Sequence, residues 1–404
     1  MERQLIMAQK QKEKIGILQM NIDNFKLFND LLGHDGGDQL LTAVGKKLQK
    51  LAGEENFLAY FGGDTFLLVV SDLSDEKLTK LLIKLNMSFK KIYHIKNQEI
   101  RISMSIGVAA FPEDGSELES ILKNAELAMY KAKENSGIQV YRCSPMMRQE
   151  EQKTQAIINH LLNAIGNKEL FLVFQPKVNA VTEKIEAVEA LVRWHNEELG
   201  MIPPGIFIPL AEKAGLIGNI GDWVFAEACR QIRGWEEMGK EPLPVAINIS
   251  GYQLQDSRLL IKMKQAILNN KIDPRLLEIE VTESIAMNVN VDVSSRLIEM
   301  KKIGMSVAID DFGTGYSSLS RLHELPIDVL KIDKKFVDDI FGSEKNRAVI
   351  NSIIDLAKNL NLKIVAEGAE IKEQVDFLKA KQCDYIQGYY YYKPLTAKEL
   401  NEHF

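Results

Sequence analysis

The sequence is poor in cysteine and histidine, with 3 cysteines and 6 histidines among 404 residues. The cysteines Cys143, Cys229 and Cys383 lie far apart, which excludes a disulfide-stapled secreted fold and predicts a protein of the reducing cytoplasm. The histidines lack the spacing of a zinc site. Long apolar runs are missing too, because none approaches the ~20 residues of a membrane-spanning helix, and the chain does not open with a signal-peptide pattern.

An excess of basic charge is also missing. The 50 basic residues are outnumbered by 56 acidic ones, and the net charge of −6 argues against a broad basic surface for a nucleic-acid polymer. Hydrophobic residues make up 46% of the chain, which is enough for the cores of a globular protein. At roughly 150 residues per domain, the length predicts two or three domains.

The first half, residues 1–142, mixes strand-like runs with amphipathic helices, as is typical of a compact α+β domain. Two runs, 57–61 and 66–70, flank Gly62-Gly63-Asp64-Thr65, which is a strong hairpin signal. The other predicted elements are strands at 16–22 and 102–109 and helices at 39–51 and 118–133. Residues 143–155 are polar and predict a connector, which is either a linker or a helix because nothing after Pro145 breaks a helix.

The second half, residues 156–404, repeats one pattern, in which an apolar strand-like run ends in a polar residue and a helical stretch usually follows. The pattern occurs eight times within roughly the 250 residues that a (β/α)8 barrel needs. Such barrels carry their chemistry at the carboxyl ends of the strands. The residues at those ends are Gln175, Glu189, Asn248, Glu280, the pair Asp310 and Asp311, Lys331, Glu367 and Gln387.

Five carboxylates at one barrel mouth would repel each other strongly, and without a cation several would take up protons. Carboxylate and amide oxygens without histidine or cysteine favour a hard ion, Mg²⁺ or Mn²⁺. The adjacent Asp310 and Asp311 allow one carboxylate to lie between two ions. Two ions about 4 Å apart activate a water and stabilise in-line displacement at phosphorus. Lys331 then suits positioning of the nucleophile or balancing of phosphoryl charge.

Taken singly, each of these residues has a simpler structural explanation. The aspartate pair fits a helix N-cap or a turn, Asn248 a strand end, Lys331 a solvated strand end, and Glu280 an edge-strand charge like Glu278. Their recurrence at the same end of successive strands favours a shared site. A Mg²⁺-dependent barrel lyase of the enolase kind stays open at this point, although the paired aspartates and the absence of a second barrel-end lysine count against it.

The run Glu189-Ala190-Leu191-Val192-Arg193-Trp194 resembles the signature of the EAL-domain cyclic di-GMP phosphodiesterases. The similarity covers the whole second half. It includes Phe174-Gln175-Pro176, Ile202-Pro203-Pro204, Asn248-Ile249-Ser250, Glu280-Val281-Thr282-Glu283, residues 310–318, Leu330-Lys331-Ile332-Asp333, Val365-Ala366-Glu367-Gly368 and Gln387-Gly388. The resemblance implies a TIM-like (β/α)8 barrel that hydrolyses cyclic di-GMP to linear pGpG with two Mg²⁺ or Mn²⁺ ions.

The resemblance also implies roles for individual residues. The implied metal ligands are Glu189, Asn248, Glu280, Asp310, Asp311 and Glu367. Lys331 and Gln387 would orient the attacking water, while Gln175, Leu191 and Arg193 would hold the substrate. Glu283 would brace the loop that starts at Asp310. In the family that loop couples dimerisation to metal binding, so the resemblance implies a homodimer through this domain.

The first half resembles a GGDEF domain, the diguanylate cyclase module, which implies a ferredoxin-like or cyclase-like α+β fold. The matching stretches include Asn29-Asp30, Gly37-Asp38, residues 103–107, residues 128–133 and the signature Gly62-Gly63-Asp64-Thr65-Phe66. Four places depart from the family pattern. Asn21 replaces the first metal aspartate, Thr65 the second acidic residue of the signature, Gly137 a phosphate-binding arginine, and residues 53–56 the product-inhibition motif.

These replacements together predict that the first domain is not a cyclase. An amide at Asn21 removes a negative charge from a Mg²⁺ site, Thr65 cannot act as a strong base, and Gly137 donates nothing to a phosphate. The residues that survive are Asn29, Asp38, Gly62, Gly63 and Asp64. They leave binding of GTP as a regulator open, and a ligand-free dimerisation or transmission module is the equal alternative.

The sequence therefore predicts a cyclic di-GMP phosphodiesterase at 156–404 behind an inactive GGDEF domain at 1–142. A non-hydrolysing cyclic di-GMP receptor and a scaffold that acts through protein contacts are the alternatives. The receptor fits less well, because such receptors usually lack several metal ligands and this sequence lacks none. The family's lead-in and its helix are largely missing before Gly16, with residues 2–12 as the tail of that helix. This predicts the cytoplasmic part of a longer sensor protein.

Overall fold

The structure, a computed structural model, describes residues 13–71, 74–89, 92–96, 98–134, 139–287, 293–313, 322–342 and 344–403. The chain divides into two compact units, Met1–Gln155 and Ala156–Phe404. Within the described ranges, no helix is both long enough and apolar enough to cross a bilayer.

The first unit is an α+β domain. Its elements are β1 (Ile15–Ile22), α1 (Phe25–Leu32), α2 (His34–Ala52), β2 (Phe57–Gly62), β3 (Thr65–Ser71), α3 (Asp75–Phe89), β4 (Tyr93–Ile95), β5 (Gln98–Ile100), β6 (Met104–Phe111), α4 (Leu118–Lys133) and β7 (Gln139–Arg142). The main sheet has five strands in the order β2-β3-β1-β6-β7, and β4 pairs with β5 in a separate ladder. Strands β6 and β7 run parallel, whereas the other pairs are antiparallel.

Strand β1 lies at the centre of this sheet, where all eight of its residues are buried and apolar side chains occur on both of its faces. Leu18 and Met20 pack with α2 on one face, and Ile15 and Ile17 pack with α4 on the other. The predicted hairpin between β2 and β3 is present. Its turn contains two glycines with positive φ, +120° at Gly62 and +58° at Gly63, a conformation that glycine adopts without steric cost.

The connector segment forms a helix, α5 (Pro145–Leu161). Ser144 begins it by accepting a hydrogen bond at Oγ from the backbone N–H of Met147, 3.2 Å away. Pro145 follows at the first helical position, where its missing N–H costs nothing. Arg148 on the first turns donates to Asp114 at 2.8 Å, so the start of α5 is bonded to the first unit.

The second unit is a barrel surrounded by helices. Its strands are β8 (Leu170–Asn179), β9 (Ile185–Asn196), β10 (Gly200–Ile202), β11 (Val245–Asn248), β12 (Leu277–Thr282), β13 (Ser306–Phe312), β14 (Val329–Ile332), β15 (Lys363–Glu367), β16 (Tyr385–Gln387) and β17 (Leu395–Thr396). Its helices are α6 (Pro204–Lys213), α7 (Ile217–Glu237), α8 (Gly251–Gln255), α9 (Leu259–Asn270), α10 (Glu283–Ala286), α11 (Val293–Ile303), α12 (Lys334–Asp338), α13 (Glu344–Asn359), α14 (Lys372–Ala380) and α15 (Ala397–Leu400), with 3-10 turns at Pro274–Leu276 and Asn401–His403. Strands β9 and β11 to β16 pair in sequence, and β8 closes the ring between β16 and β9. This confirms the predicted eight-stranded barrel.

One strand departs from the repeated pattern. The general pattern places Gln175 at the end of its strand with a helix usually following, but β8 continues to Asn179 and turns directly into β9. The reason is local, because Asn179 Oδ1 accepts from the backbone N–H groups of Val181 and Thr182, both at 2.9 Å, and so forms a tight turn. As a result β8 runs antiparallel to both of its barrel neighbours.

Side chains alternate along the barrel strands between the helices and the barrel interior. The outward side chains, such as Val307 and Ile309, belong to the large core under the helices. Ala308, Val329, Val365 and Tyr385 point the other way and form a small apolar layer inside the barrel. Two residues further along the same four strands, the next inward positions are Asp310, Lys331, Glu367 and Gln387. The pleat alone therefore brings four of the predicted site residues to one level of the barrel.

The three buried cysteines allow a test of the folded core by thiol labelling. Cys143, Cys229 and Cys383 are all free and buried, and burial raises the pKa of Cys229 and of Cys383 to about 12. At pH 8 a raised pKa leaves almost no thiolate, which is the reactive form. We expect the native protein not to react with a thiol reagent such as DTNB, and the protein in guanidinium chloride to release three equivalents. Fast labelling of Cys229 in the native protein would contradict the buried core around α7.

Candidate active site and metal centre

The inward side chains line a cavity of about 250 Å³ at the carboxyl end of the barrel strands. Glu189 from β9, Asp310 from β13, Glu367 from β15 and Gln387 from β16 are among its walls, together with Gln175 from β8. The cavity thus brings residues from five strands together, although they span more than 200 positions of the sequence.

The carboxylates form two groups that share one residue. Glu189, Glu280 and Asp310 place ligand atoms within 4.8 Å of one another, and so do Asp310, Asp311 and Glu367. Asp310 belongs to both groups. The backbone contributes to this arrangement, because Asp311 adopts φ of +54°, a left-handed conformation that aspartate tolerates better than most residues. The observed geometry is that of two adjacent oxygen sites with a common carboxylate.

Lys331 lies between these carboxylates. Its Nζ is 2.7 Å from Glu280 Oε2 and 2.7 Å from Glu367 Oε1, and it is 3.2 Å from Asp310 Oδ1 and 3.3 Å from Glu189 Oε2. Burial opposes the charge on Lys331, but the four carboxylates outweigh burial and hold its pKa well above the usual range. Lys331 is therefore the cation around which the metal-free carboxylates gather, rather than a solvated strand end.

Lys331 does not neutralise the whole set. Burial and the charge of Glu189 raise the pKa of Glu280 to about 8, and burial raises the pKa of Glu367 to about 7. Burial and Asp310 raise the pKa of Asp311 to about 6. For Glu189 burial acts in the same direction, but Lys331 and Lys177, together with hydrogen bonds from Gln387 and Asn248, outweigh it and lower the pKa to about 2. These carboxylates are therefore short of positive charge.

The donor set fits a hard divalent cation. The carboxylates are joined by Asn248, whose Nδ2 donates to Glu189 Oε1 at 2.6 Å, and by Gln387, whose Nε2 donates to Glu189 Oε2 at 2.7 Å. The Oε1 atom of Gln387 is buried without a hydrogen-bond partner in the described part of the chain. All of these groups offer oxygen, which is what Mg²⁺ and Mn²⁺ prefer.

The residues predicted to hold substrate follow the same strands. Glu189, Leu191 and Arg193 alternate along β9 and lie on one face of it. Gln175 accepts at Oε1 from Gln387 at 3.3 Å, so it adjoins the carboxylates. Arg193 is half-buried and donates to the carbonyl of Val192 at 2.9 Å, and burial lowers the pKa of its guanidinium.

Glu283, at the start of α10, contacts the segment after β13. Its buried Oε2 accepts from the backbone N–H of Gly313 at 2.7 Å. Gly313 has φ of +98°, and a Cβ there would lie 2.8 Å from the ring of Phe336, so no larger residue fits. The rest of the motif that begins at Asp310, including Gly315, lies outside the described residues.

Sequence reasoning missed Lys177, a second lysine inside the barrel. It is 2% exposed, and its Nζ donates to Glu278 Oε1 at 2.6 Å and to Glu280 Oε1 at 2.7 Å. Glu278 therefore faces the barrel interior, and the expectation of an edge-strand charge is wrong. Burial opposes the charge on Lys177, but the two glutamates outweigh it and raise its pKa. The signal was present in the sequence, because Lys177 follows Gln175 by two positions and so shares its inward face.

The signature of the first unit has a different chemistry. Asn21 Nδ2 donates to Asp64 Oδ1 at 2.5 Å and to Thr65 Oγ1 at 3.0 Å. Among the residues that the structure describes, the first unit contains no group of three acidic, histidine or cysteine ligands. An amide thus lies against Asp64, where the family pattern has a metal aspartate.

The residues of the first unit that keep the family pattern lie in two places. Asn29 lies against the backbone of Gly37, where an added Cβ would be 1.8 Å from Asn29 Oδ1. Asp38 is exposed at the start of α2, and Gly62, Gly63 and Asp64 form the hairpin turn. The predicted departure at Gly137 and the predicted helix tail at 2–12 lie outside the described residues.

Comparison with known families divides the chain in the same way. The family model described as "EAL domain" matches residues 158–394, which is more than half of the chain. The family model described as "Diguanylate cyclase, GGDEF domain" matches residues 1–138.

The chain is similar over nearly its whole length to curated bacterial proteins. It is 37% identical over 401 residues to the bifunctional diguanylate cyclase/cyclic di-GMP phosphodiesterase MucR of Pseudomonas aeruginosa, covering 99% of this chain and 58% of MucR. It is 37% identical to the signaling protein YkoW of Bacillus subtilis and 35% identical to the cyclic di-GMP phosphodiesterase PdeR of Escherichia coli, covering 95% of this chain in both cases and 48% and 58% of those proteins. The chain spans about half the length of these relatives.

Solved structures resemble the second unit. A Pseudomonas aeruginosa MucR phosphodiesterase in complex with c-di-GMP is 40% identical with a TM-score of 0.59, covering 61% of this chain and 99% of that chain. An EAL domain protein from Listeria monocytogenes is 31% identical with a TM-score of 0.54, covering 61% of this chain and 96% of that chain.

Proposed function

The chain belongs to the EAL domain family, with a GGDEF domain ahead of its EAL domain, and from this premise we propose that it hydrolyses cyclic di-GMP to linear pGpG. The observation that carries the proposal is the pair of carboxylate groups that share Asp310 around Lys331. Relatives named as cyclic di-GMP phosphodiesterases, and a similar domain described in complex with c-di-GMP, support the choice of substrate.

The proposed cofactor is a pair of Mg²⁺ or Mn²⁺ ions. The proposed ligands are Glu189, Asn248, Glu280, Asp310, Asp311 and Glu367. When bound, such ions polarise a phosphoryl oxygen and lower the pKa of a bound water. Their positive charge would also offset the burial and the repulsion from Glu189 that raise the carboxyl pKa of Glu280.

The chain's own residues complete the proposed site. Lys331 presents an ammonium at the meeting point of the carboxylates, where it is able to hold the attacking water or a phosphoryl oxygen. The free Oε1 of Gln387 is buried in the same interior and suits acceptance of a hydrogen bond from that water. Arg193 suits a phosphate oxygen, Leu191 supplies an apolar contact for a base, and Gln175 holds Gln387 in place.

Glu283 is proposed to brace the segment after β13, and this gives a prediction. Glu283→Ala removes the acceptor of the Gly313 N–H, so we expect kcat to fall by about 10- to 100-fold while the protein stays folded, as for other residues that support a metal site. Glu283→Gln is the matched control, because its amide oxygen still accepts from Gly313. Steady-state kinetics and a Mg²⁺ titration measure both. Equal activity of the alanine variant and wild type would remove the brace from the mechanism.

For the first domain we propose a regulatory part without cyclase activity. Asn21 and Thr65 leave Asp64 as the single acid of the signature, which does not make a Mg²⁺ site. GTP binding through Asn29, Asp38 and the Gly62 turn would make this domain a sensor. Dimerisation of this domain without a ligand is the other proposed role. A homodimer through the EAL domain is proposed as well. Light scattering in solution tests whether the chain dimerises.

The test of the proposed function is a chromatographic assay of the purified chain with cyclic di-GMP and Mg²⁺ or Mn²⁺, run with and without GTP. Appearance of pGpG supports the phosphodiesterase, and faster turnover with GTP supports a sensor role of the first domain. Cyclic di-GMP that is bound but intact under both metals would favour a receptor instead. Formation of cyclic di-GMP from GTP alone would contradict an inactive first domain.

A further inference from the structure

Lys177 and Lys331 divide the two carboxylate oxygens of Glu280 between them. Lys177 Nζ is 2.7 Å from Oε1, and Lys331 Nζ is 2.7 Å from Oε2. Glu280 is fully buried, so water does not compete for either oxygen. With a cation on each oxygen, the plane and direction of this carboxylate are fixed.

Lys177 is itself held in place. Its second contact is Glu278 Oε1 at 2.6 Å, and Glu278 Oε2 in turn accepts from Ser306 Oγ at 3.3 Å. Strand β8 supplies the lysine, and strands β12 and β13, which pair with each other elsewhere in the barrel, supply its anchors. The chain of contacts from Ser306 to Glu280 therefore runs between rigid strands and not through loops, which suits precise positioning.

We propose that Lys177 is a positioning residue of the metal centre. It binds Glu280 Oε1 and so keeps Oε2 on the side where Glu280 forms a group with Glu189 and Asp310. The inference rests on the proposed function, because that function makes Glu280 a metal ligand. Without Lys177 the carboxylates of Glu278 and Glu280 lose their common donor, and Lys331 becomes the nearest cation for Glu280. The carboxylate of Glu280 is then no longer held in one orientation, so its Oε2 is not kept beside Glu189 and Asp310.

A purely electrostatic role for Lys177 makes the opposite prediction. A cation close to the centre repels a divalent ion, so its removal would make the pocket more negative and bind the metal more tightly. A positioning role predicts weaker binding instead, since partners of metal ligands typically contribute 10- to 100-fold to metal affinity. The direction of the change in metal affinity decides between the two.

The experiment measures Mn²⁺ affinity of the full chain by isothermal titration and by electron paramagnetic resonance, with no substrate present. We expect Lys177→Met to weaken Mn²⁺ binding by about tenfold or more and to alter the resonance spectrum of the bound ion. Glu278→Gln is the matched control, because its amide oxygen still accepts from Lys177 and the contact with Glu280 remains, so its Mn²⁺ affinity should stay close to wild type.

Two checks keep the result decisive. Circular dichroism shows whether Lys177→Met folds, and if it does not, Lys177→Gln replaces it, because its shorter side chain loses the Glu280 contact but leaves a polar group in the space. Unchanged or tighter Mn²⁺ binding by the folded variant overturns the positioning role, as does a wild-type chain that binds no Mn²⁺. A wild-type chain that binds Mn²⁺ but makes no pGpG refutes the proposed function alone, and the comparison of affinities still decides on Lys177.

Discussion

Replacing Asp310 by asparagine is expected to lower kcat for cyclic di-GMP by about 1,000-fold or more, because charge stabilisation by a metal is worth several kcal/mol and each 1.36 kcal/mol is tenfold in rate. Asp310 is the one residue that belongs to both carboxylate groups. Asparagine has nearly the same shape but offers one neutral oxygen, so it no longer serves as an anionic ligand on both sides. The measurement is pGpG formation at saturating Mg²⁺ or Mn²⁺.

Asp376→Asn is the matched control for this variant. Asp376 lies on α14, where it is exposed and pairs with Lys372 at 2.8 Å, and an exposed pair of this kind contributes little. The control should keep wild-type kcat and wild-type melting behaviour. Near-normal kcat for Asp310→Asn would mean that Asp310 is not a shared ligand, and a loss of folding would mean that its ion pair with Lys331 is structural.

The strand ends carried most of the information that the sequence offered about the barrel. Inward positions recur every two residues, so an acid or amide at the end of each apolar run predicts both the strand and the level of its side chain. Asp310, Glu367 and Gln387 meet for this reason. That Asp310 lies in both groups was expressed in the sequence only as a pair of adjacent aspartates. Adjacent residues of a regular strand point to opposite faces, so the grouping of Asp311 with Asp310 goes with the left-handed backbone at Asp311, which no pattern of residue types reveals.

The direction of β8 and the depth of Lys177 were harder to predict. An apolar run reads the same in a parallel and an antiparallel strand, and only the turn at Asn179 distinguishes them. On the parallel strands, the later of two inward residues lies nearer the mouth of the barrel. Because β8 is antiparallel, the later residue Lys177 lies deeper than Gln175, on the buried side of the site. A long-range ion pair such as Lys177 with Glu278 depends on barrel closure, which a linear pattern does not contain.

Replacing Lys331 by methionine is expected to reduce both activity and the stability of the metal-free protein. Removing one partner of a buried ion pair costs about 3–5 kcal/mol, which for a domain of this size corresponds to a fall in Tm of about 10 °C. We expect that fall in EDTA by differential scanning calorimetry, and kcat lower by about 100-fold or more from the loss of a positioned donor. Lys331→Arg, which keeps the charge, should recover stability more than activity.

The pH dependence of this loss separates a charge effect from a packing effect. Burial and repulsion already hold the pKa of Glu280 at about 8 and of Glu367 at about 7, and removal of Lys331 shifts both upward. A carboxyl pKa that is higher in the folded protein than in the unfolded chain means that the folded state binds more protons. The free energy of unfolding then falls as the pH rises from the carboxyl pKa in the unfolded chain, about 4.5, toward the carboxyl pKa in the folded protein. The Tm difference between Lys331→Met and wild type in EDTA should therefore be larger at pH 8 than at pH 6.

Added Mg²⁺ should narrow the Tm difference between Lys331→Met and wild type. Binding of an ion to the folded state stabilises it by mass action, and the variant offers the ion four carboxylates without a competing ammonium. A Tm difference that is the same at both pH values and unaffected by Mg²⁺ would show that Lys331 contributes by packing alone. In that case the four carboxylates would not depend on a cation at their centre, and the argument that they require a divalent metal would lose its physical basis.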